Sequence, residues 1–291
     1  MTQRSLLAAL IVGLAAPVVG TYLVQRRLSL LGDGIGHVAL TGVAIGWLVG
    51  AATGATDMEA YAVPGAMAAA VIGAVLIEVV RARGATSGDV ALALLFYGGI
   101  AGGVVIIGLA GGTNANLMAY LFGSLATVST SDLTVTVLMS AAILVVGLGL
   151  RTALFAVCQD EEFARSTGLP VRLLTILIAV VAAVTVTVAM RVVGLLLVSA
   201  LMIVPVAIAQ LITSSFRRTM ALAMVIGALV CVTGLTITFF HRLAPGAMIV
   251  VVAIGVYALI AAVRPIIQAR RPRDRSAHPE MADDVRLNNV T

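Results

Sequence analysis

Residues 171–213 read VRLLTILIAVVAAVTVTVAMRVVGLLLVSALMIVPVAIAQLIT. The run has no acidic residue, and its only charges are Arg172 and Arg191. An α-helix rises about 1.5 Å per residue and the hydrocarbon core of a bilayer is about 30 Å thick, so this run is far too long for one crossing. A tight turn near Arg191 to Gly194 divides it into two spans, 171–190 and 192–213, and Pro205 is expected to kink the second. Further apolar segments lie at 5–24, 30–54, 60–80, 89–111, 132–150, 219–240 and 246–263. Together they make nine candidate spans, with eight or ten as the neighbouring counts. The runs are solidly apolar rather than alternating, which excludes the strands of a membrane barrel and leaves helices. The expected fold class is therefore all-α integral membrane, a polytopic bundle of about eight to nine transmembrane helices.

Composition agrees. Of 291 residues, 61% are hydrophobic and 11% charged, with a mean hydropathy of +1.13. A soluble domain is usually about 45–50% apolar and about 25% charged. The 29 glycines suit close helix–helix approach in lipid. Arg4 followed by an apolar run resembles a signal peptide, but the run reaches Val24 and is closed by Arg26 and Arg27. It reads as a first span.

All 18 basic residues are Arg, and there is no Lys. A phosphate-binding loop of the Walker type, a Schiff base and a kinase site each need Lys, so the chain lacks its own ATP site. With the N-terminus outside, nine spans place fifteen Arg on the cytoplasmic side, including Arg26, Arg27, Arg81, Arg83, Arg151, Arg165, Arg172, Arg217, Arg218 and Arg264. Only Arg4, Arg191 and Arg242 fall outside. So one-sided a distribution supports the parse. The net charge of +5 belongs to span ends and is no footprint for nucleic acid. Cys158 and Cys231 are far apart and read as small apolar filler.

Three segments are not simple spans. Residues 112–131 are polar enough for an outer loop or a short re-entrant helix. Residues 158–170 (CQDEEFARSTGLP) form the longest polar stretch between spans, on the inner side, and predict a short amphipathic helix ending at Gly168 and Pro170. Residues 265–291 are polar and predict a disordered cytoplasmic tail, leaving 1–264 as the membrane domain.

Ionisable groups at membrane depth are costly and mark function. Asp33 and His37 in GDGIGH are spaced i, i+4 and share a helix face that Thr41 continues. Counted inward from Arg27 at helical rise, Asp33 lies about 9 Å deep and His37 about 15 Å, near the bilayer midplane. A carboxylate and an imidazole suit Zn²⁺ or Mn²⁺, and an incomplete shell suits an ion that must leave again. The alternative is that Asp33 caps its helix near Arg26 and Arg27 while His37 bonds nearby backbone. Glu78 beside Arg81 reads as an interfacial pair at a span end. Gly42, Gly46 and Gly50 form a stripe on which another helix can pack. His241 sits beside Arg242 at an outer span end.

Five segments in order carry a resemblance: RRLSLLGDGIGHVALTGVAIG at 26–46, LMAYLFGSL at 117–125, TGLPVRLL at 167–174, RVVGLLLVSALMIVPVAIAQL at 191–211 and APGAMIVV at 244–251. The chain resembles the zinc/manganese-type ABC transporter permeases over nearly its whole length. That resemblance implies a type II-like importer permease, not an enzyme, with no catalytic residue and no permanently bound cofactor. It implies a homodimer in the plasma membrane, driven by a separate cytoplasmic ABC ATPase. An extracytoplasmic metal-binding protein would deliver Zn²⁺, Mn²⁺ or sometimes Fe²⁺. By the same resemblance, Asp33 and His37 match the candidate metal ligands. Residues 158–170 match the segment that docks on the ATPase, with Asp160, Glu161, Glu162, Phe163, Ala164 and Gly168 as its contacts.

Two departures stand out. Many members carry an acidic residue where this chain has His241 and Arg242, and Gly34 and Gly36 replace bulkier residues, which is expected to loosen the helix around Asp33. Two alternatives stay open. One is a stand-alone secondary transporter in which Asp33 and His37 relay protons, although no inverted repeat is evident. The other is an ABC permease for a metal chelate such as a siderophore, which needs no metal ligands within the membrane.

Overall fold

The computed structural model describes residues 3–54, 59–83, 88–109, 120–122, 129–240 and 244–270. Its named helices, in chain order, are α1 (Gln3–Gln25), α2 (Leu31–Ala52), α3 (Glu59–Ala82), α4 (Gly88–Leu109), α5 (Thr130–Gly149), α6 (Arg151–Gln159), α7 (Glu161–Ser166), α8 (Val171–Val193), α9 (Leu195–Ile212), α10 (Phe216–Phe240) and α11 (Pro245–Arg270). No strand occurs among the described residues. Helix is the only way these open-ended apolar runs can satisfy their backbone groups in lipid. Eight helices, α1–α5, α8, α10 and α11, are long and apolar enough to cross a membrane, and α9 is a shorter apolar helix. The tail is expected from 265, but α11 continues through Arg270; the rest of it, from 271 onward, lies outside the described residues, as do most of 112–131 and all of 241–243.

The 171–213 run divides at one residue. Gly194 lies between α8 and α9 at φ 93°, ψ 151°, a conformation that glycine alone adopts without strain. Its N–H donates to the Met190 carbonyl, and its own carbonyl accepts from Leu197 and Val198. The chain reverses there. Arg172, at the start of α8, shares a hollow with Arg26 at the end of α1. Gln210 and Thr213, at the end of α9, share another with Gln25 and Gln159. The Gln25 amide also donates to Gln159 Oε1 at 2.7 Å. Both ends of the 171–213 run therefore lie at one end of the bundle, with the ends of α1 and α3, with α6 and α7, and with the start of α10. This is the end to which the Arg distribution assigns the cytoplasm.

The centre of the bundle is α1, α8 and α2, the three most buried spans, while α11 is the least covered. Glycine sets how closely the helices cross. On α1 and α10, Gly13 and Gly227 lie against each other's carbonyls. On α2, a Cβ at Gly42 would collide with the Gly65 carbonyl of α3, and one at Gly46 with the Tyr61 carbonyl. The expected glycine stripe of α2 is thus its contact with α3. Gly34 and Gly36 differ from expectation. The space beside Gly34 is filled by Leu95 of α4 and the space beside Gly36 by Leu195 of α9, so these glycines admit neighbours rather than loosen the helix.

Gly42→Val should separate α2 from α3 and cost about 1–3 kcal/mol through overpacking. Gly108→Ala, where no atom lies within 4 Å of an added Cβ, should cost nothing measurable. Unfolding curves of the purified variants in detergent check the pair.

Candidate functional site

Helix α2 does not continue α1. Between them Arg27 adopts φ 58°, and the Leu28 N–H turns back to the Leu23 carbonyl. The first helical residue is Leu31, and Leu30 gives no side-chain cap. Asp33 occupies the first turn, where a carboxylate is favoured by about 0.3–1 kcal/mol against the helix dipole. The turn also revises the depth counted from Arg27. Measured from the start of α2, Asp33 is about 3 Å and His37 about 9 Å along the axis, which puts His37 in the inner half of the helix.

His37 is 5% exposed. Helix α4 covers it. The Phe96 ring meets the imidazole edge-on, with centroids 4.5 Å apart. A Cβ on Gly99 would lie 2.7 Å from the His37 carbonyl carbon and 3.0 Å from its Cβ. One turn further, the Thr41 hydroxyl donates to the Gly99 carbonyl at 2.7 Å, which pins α2 to α4. Inside this cover, His37 Nδ1 is buried with no hydrogen-bond partner; Trp47 Nε1 is the other such atom among the described residues. Leaving a buried polar group unpaired costs about 1–3 kcal/mol. In the alternative reading Asp33 caps its helix and His37 bonds nearby backbone; Asp33 does lie in the first turn of α2, whereas His37 Nδ1 has no such bond. No cluster of three or more His, Cys, Asp or Glu able to hold a metal occurs among the described residues. Asp33 and His37 thus offer a partial ligand set, one imidazole nitrogen of which is buried and unpaired.

The second feature lies at the inner end. Asp160 caps α7, its Oδ1 accepting from the N–H groups of Glu162 and Phe163 at 2.9 Å each. The helix stops at a Schellman turn: the Leu169 N–H donates to the Ala164 carbonyl, and that of Gly168, at φ 81°, to Arg165. The predicted short helix ending at Gly168 and Pro170 is present. Phe163 is 62% exposed and points away from the bundle, with Glu162 and Gly168 also exposed. Ala164 is fully buried, so it seats α7 on the bundle and offers no surface to a partner. Glu161 turns toward the bundle, its Oε1 2.8 Å from Arg26 Nη2.

Arg26 also reaches Glu78 at 3.2 Å, and Arg81 approaches the same carboxylate at 3.3 Å. The side chains of Arg26 and Glu78 are only 5% and 7% exposed. The sequence pointed to Glu78 with Arg81 as an interfacial pair; Arg26 makes it a buried cluster that joins α1, α3 and α7. Cys158 packs nearby against the Tyr22 carbonyl, and burial pushes its thiol up to about 12, in keeping with a filler role. Arg26→Ala would leave the buried Glu78 carboxylate with only the more exposed Arg81 as partner, at a cost of about 1–3 kcal/mol. Glu161→Gln, at an exposed position, should cost under about 1 kcal/mol. Denaturant melts of the two variants separate the cases.

Residues 1–264 match the model of the ABC 3 transport family. The chain is 32% identical over 257 residues to the manganese transport system membrane protein MntC of Halalkalibacterium halodurans, covering 88% of this chain and 85% of that protein. It is 29% identical over 250 residues to the chelated iron transport system membrane protein YfeD of Yersinia pestis, covering 86% and 81%. Among solved structures it resembles PsaBC from Streptococcus pneumoniae in complex with Fab, with a TM-score of 0.77, 29% identity, and coverage of 89% of this chain and 90% of that one. The chain is a multi-pass membrane protein and a permease rather than an enzyme, and it belongs to the ABC 3 transport family.

Proposed function

We propose that the chain is the membrane permease of an ATP-driven importer whose cargo is a divalent transition metal, Mn²⁺ or Zn²⁺, with Fe²⁺ as a further candidate. The observation that carries this reading is the buried, unpaired Nδ1 of His37 one helical turn beyond Asp33, in a helix of a family permease. An imidazole with an unpaired nitrogen is suited to ligate a metal, and a carboxylate one turn away can supply a second ligand. The names of the relatives support manganese first: MntC of Halalkalibacterium halodurans and ScaB of Streptococcus parasanguinis, at 32% and 30% identity, are both named for it.

The permease unit is proposed to be residues 1–264, the span of the family match, with 265–291 as a cytoplasmic tail. Two copies would form the pathway. An ABC ATPase would hydrolyse ATP on its own chain, which fits the absence of Lys here. Phe163, with the flanking Glu162 and Gly168, would form the docking surface, and Asp160 and Ala164 would hold its shape. Glu161 would pass movement of that surface through Arg26 to the end of α1, close in sequence to Asp33. An extracytoplasmic metal-binding protein would load the outer side.

The test is uptake of radioactive Mn²⁺ and Zn²⁺ by vesicles holding the chain with its ATPase. Asp33→Ala and His37→Ala are each expected to lower uptake about tenfold or more while the ATPase still co-purifies. Normal uptake by either variant would remove that residue from the pathway. Metal transport by the chain alone, without ATPase or ATP, would contradict the ABC reading.

A further inference from the structure

Two adjoining hollows open at the inner end of the bundle, between α3, α7 and α8. The first, about 350 Å³, is lined by Arg26, Arg81, Arg165 and Arg172 with Glu78 and Glu161, among apolar residues. Four guanidinium groups face two carboxylates there. Both carboxylates are already engaged, Glu78 by Arg26 and Arg81 and Glu161 by Arg26. Arg165 and Arg172 have no ion-pair partner among the described residues, and both are exposed. The hollow therefore has uncompensated positive charge at its mouth.

The second hollow, about 680 Å³, is open and mostly apolar, lined by Pro170, Leu173 and Ile176 beside the same two arginines. The two share Arg165, Val171, Arg172 and Ile176 as a common wall. Leu173 is 63% exposed on that side. A cationic chamber fused to an apolar one matches an amphiphile with an anionic head.

We propose that these hollows form a binding site for an anionic phospholipid of the inner leaflet. Its phosphodiester would lie between Arg165 and Arg172, and an acyl chain would run along Leu173 and Ile176. Basic pockets between membrane helices on the cytoplasmic side take such headgroups. The apolar hollow favours lipid over free phosphate, which has nothing to place there. It also favours lipid over an acidic patch of a docked protein, since Val171 and Ile176 belong to a membrane-spanning helix. The site holds the C-terminal side of α7 and the start of α8, so lipid there would brace the inner surface. The proposal is independent of which cargo the permease carries.

Native mass spectrometry of the purified full chain tests it, with phosphatidylglycerol and phosphatidylcholine offered together. Wild type is expected to prefer phosphatidylglycerol, with its net negative charge, over zwitterionic phosphatidylcholine by up to about 20–30-fold, the worth of two arginines beside an anionic rather than a neutral lipid. The double variant Arg165→Gln, Arg172→Gln should lose that preference. Ile176→Trp, which keeps every arginine and fills the apolar hollow, should also weaken retention, and it serves if the double variant misfolds. Equal retention of the two lipids by wild type, or unchanged preference in both variants, overturns the site. Displacement of phosphatidylglycerol by millimolar inorganic phosphate would mark a small-anion site and overturn the lipid. Loss of ATPase binding in the double variant, with no lipid preference in wild type, would do the same in favour of a protein contact.

Discussion

A charge that enters the membrane region must bring its partner with it, and in this chain Arg26 is that partner. Its guanidinium sits almost fully buried between Glu78 and Glu161 and ties α1, α3 and α7 together at the inner end. Burying such a pair gains little net stability, because desolvation offsets most of the attraction. Its value is geometric. It fixes where α1 ends, and so where the turn through Arg27 and the start of α2 must fall. The placement of Asp33 and His37 depends on that turn.

His37 shows the opposite case. Helix α4 closes over it through Phe96 and Gly99, and Thr41 pins the closure, yet Nδ1 has no partner. A structure that satisfies Arg26 and Glu78 so thoroughly leaves this nitrogen bare, as it does Trp47 Nε1. In a scaffold built for packing alone, that would be a cost with no return. Under the proposed function it would be a metal ligand, and Gly99 lets α4 come close enough to cover it.

Much of the fold was legible in the sequence, because hydrocarbon permits few solutions. Span length, solid apolar runs and the one-sided Arg distribution led to nine segments, with a turn near Arg191 to Gly194 dividing 171–213, which the structure places at Gly194. The glycine stripe of α2 was legible too, although not that α3 would meet it. What escaped depended on contacts between distant parts of the chain. Glu78 looked interfacial because Arg81 was three residues away, whereas Arg26 is a contact that only the folded bundle creates. Gly34 and Gly36 looked loose because the leucines that fill their space come from α4 and α9. The depth of His37 was overcounted because a single left-handed residue, Arg27, breaks the helix from which it was measured.

That Asp33 and His37 lie one turn apart on α2 was legible by spacing. The unpaired Nδ1 was not, since burial without a partner has no sequence signature. The most direct test of the account is anomalous X-ray diffraction at the manganese edge from crystals of the assembled transporter grown with Mn²⁺. A peak between the Asp33 carboxylate and the His37 imidazole is the predicted result. Metal bound within the membrane region away from both residues would contradict it.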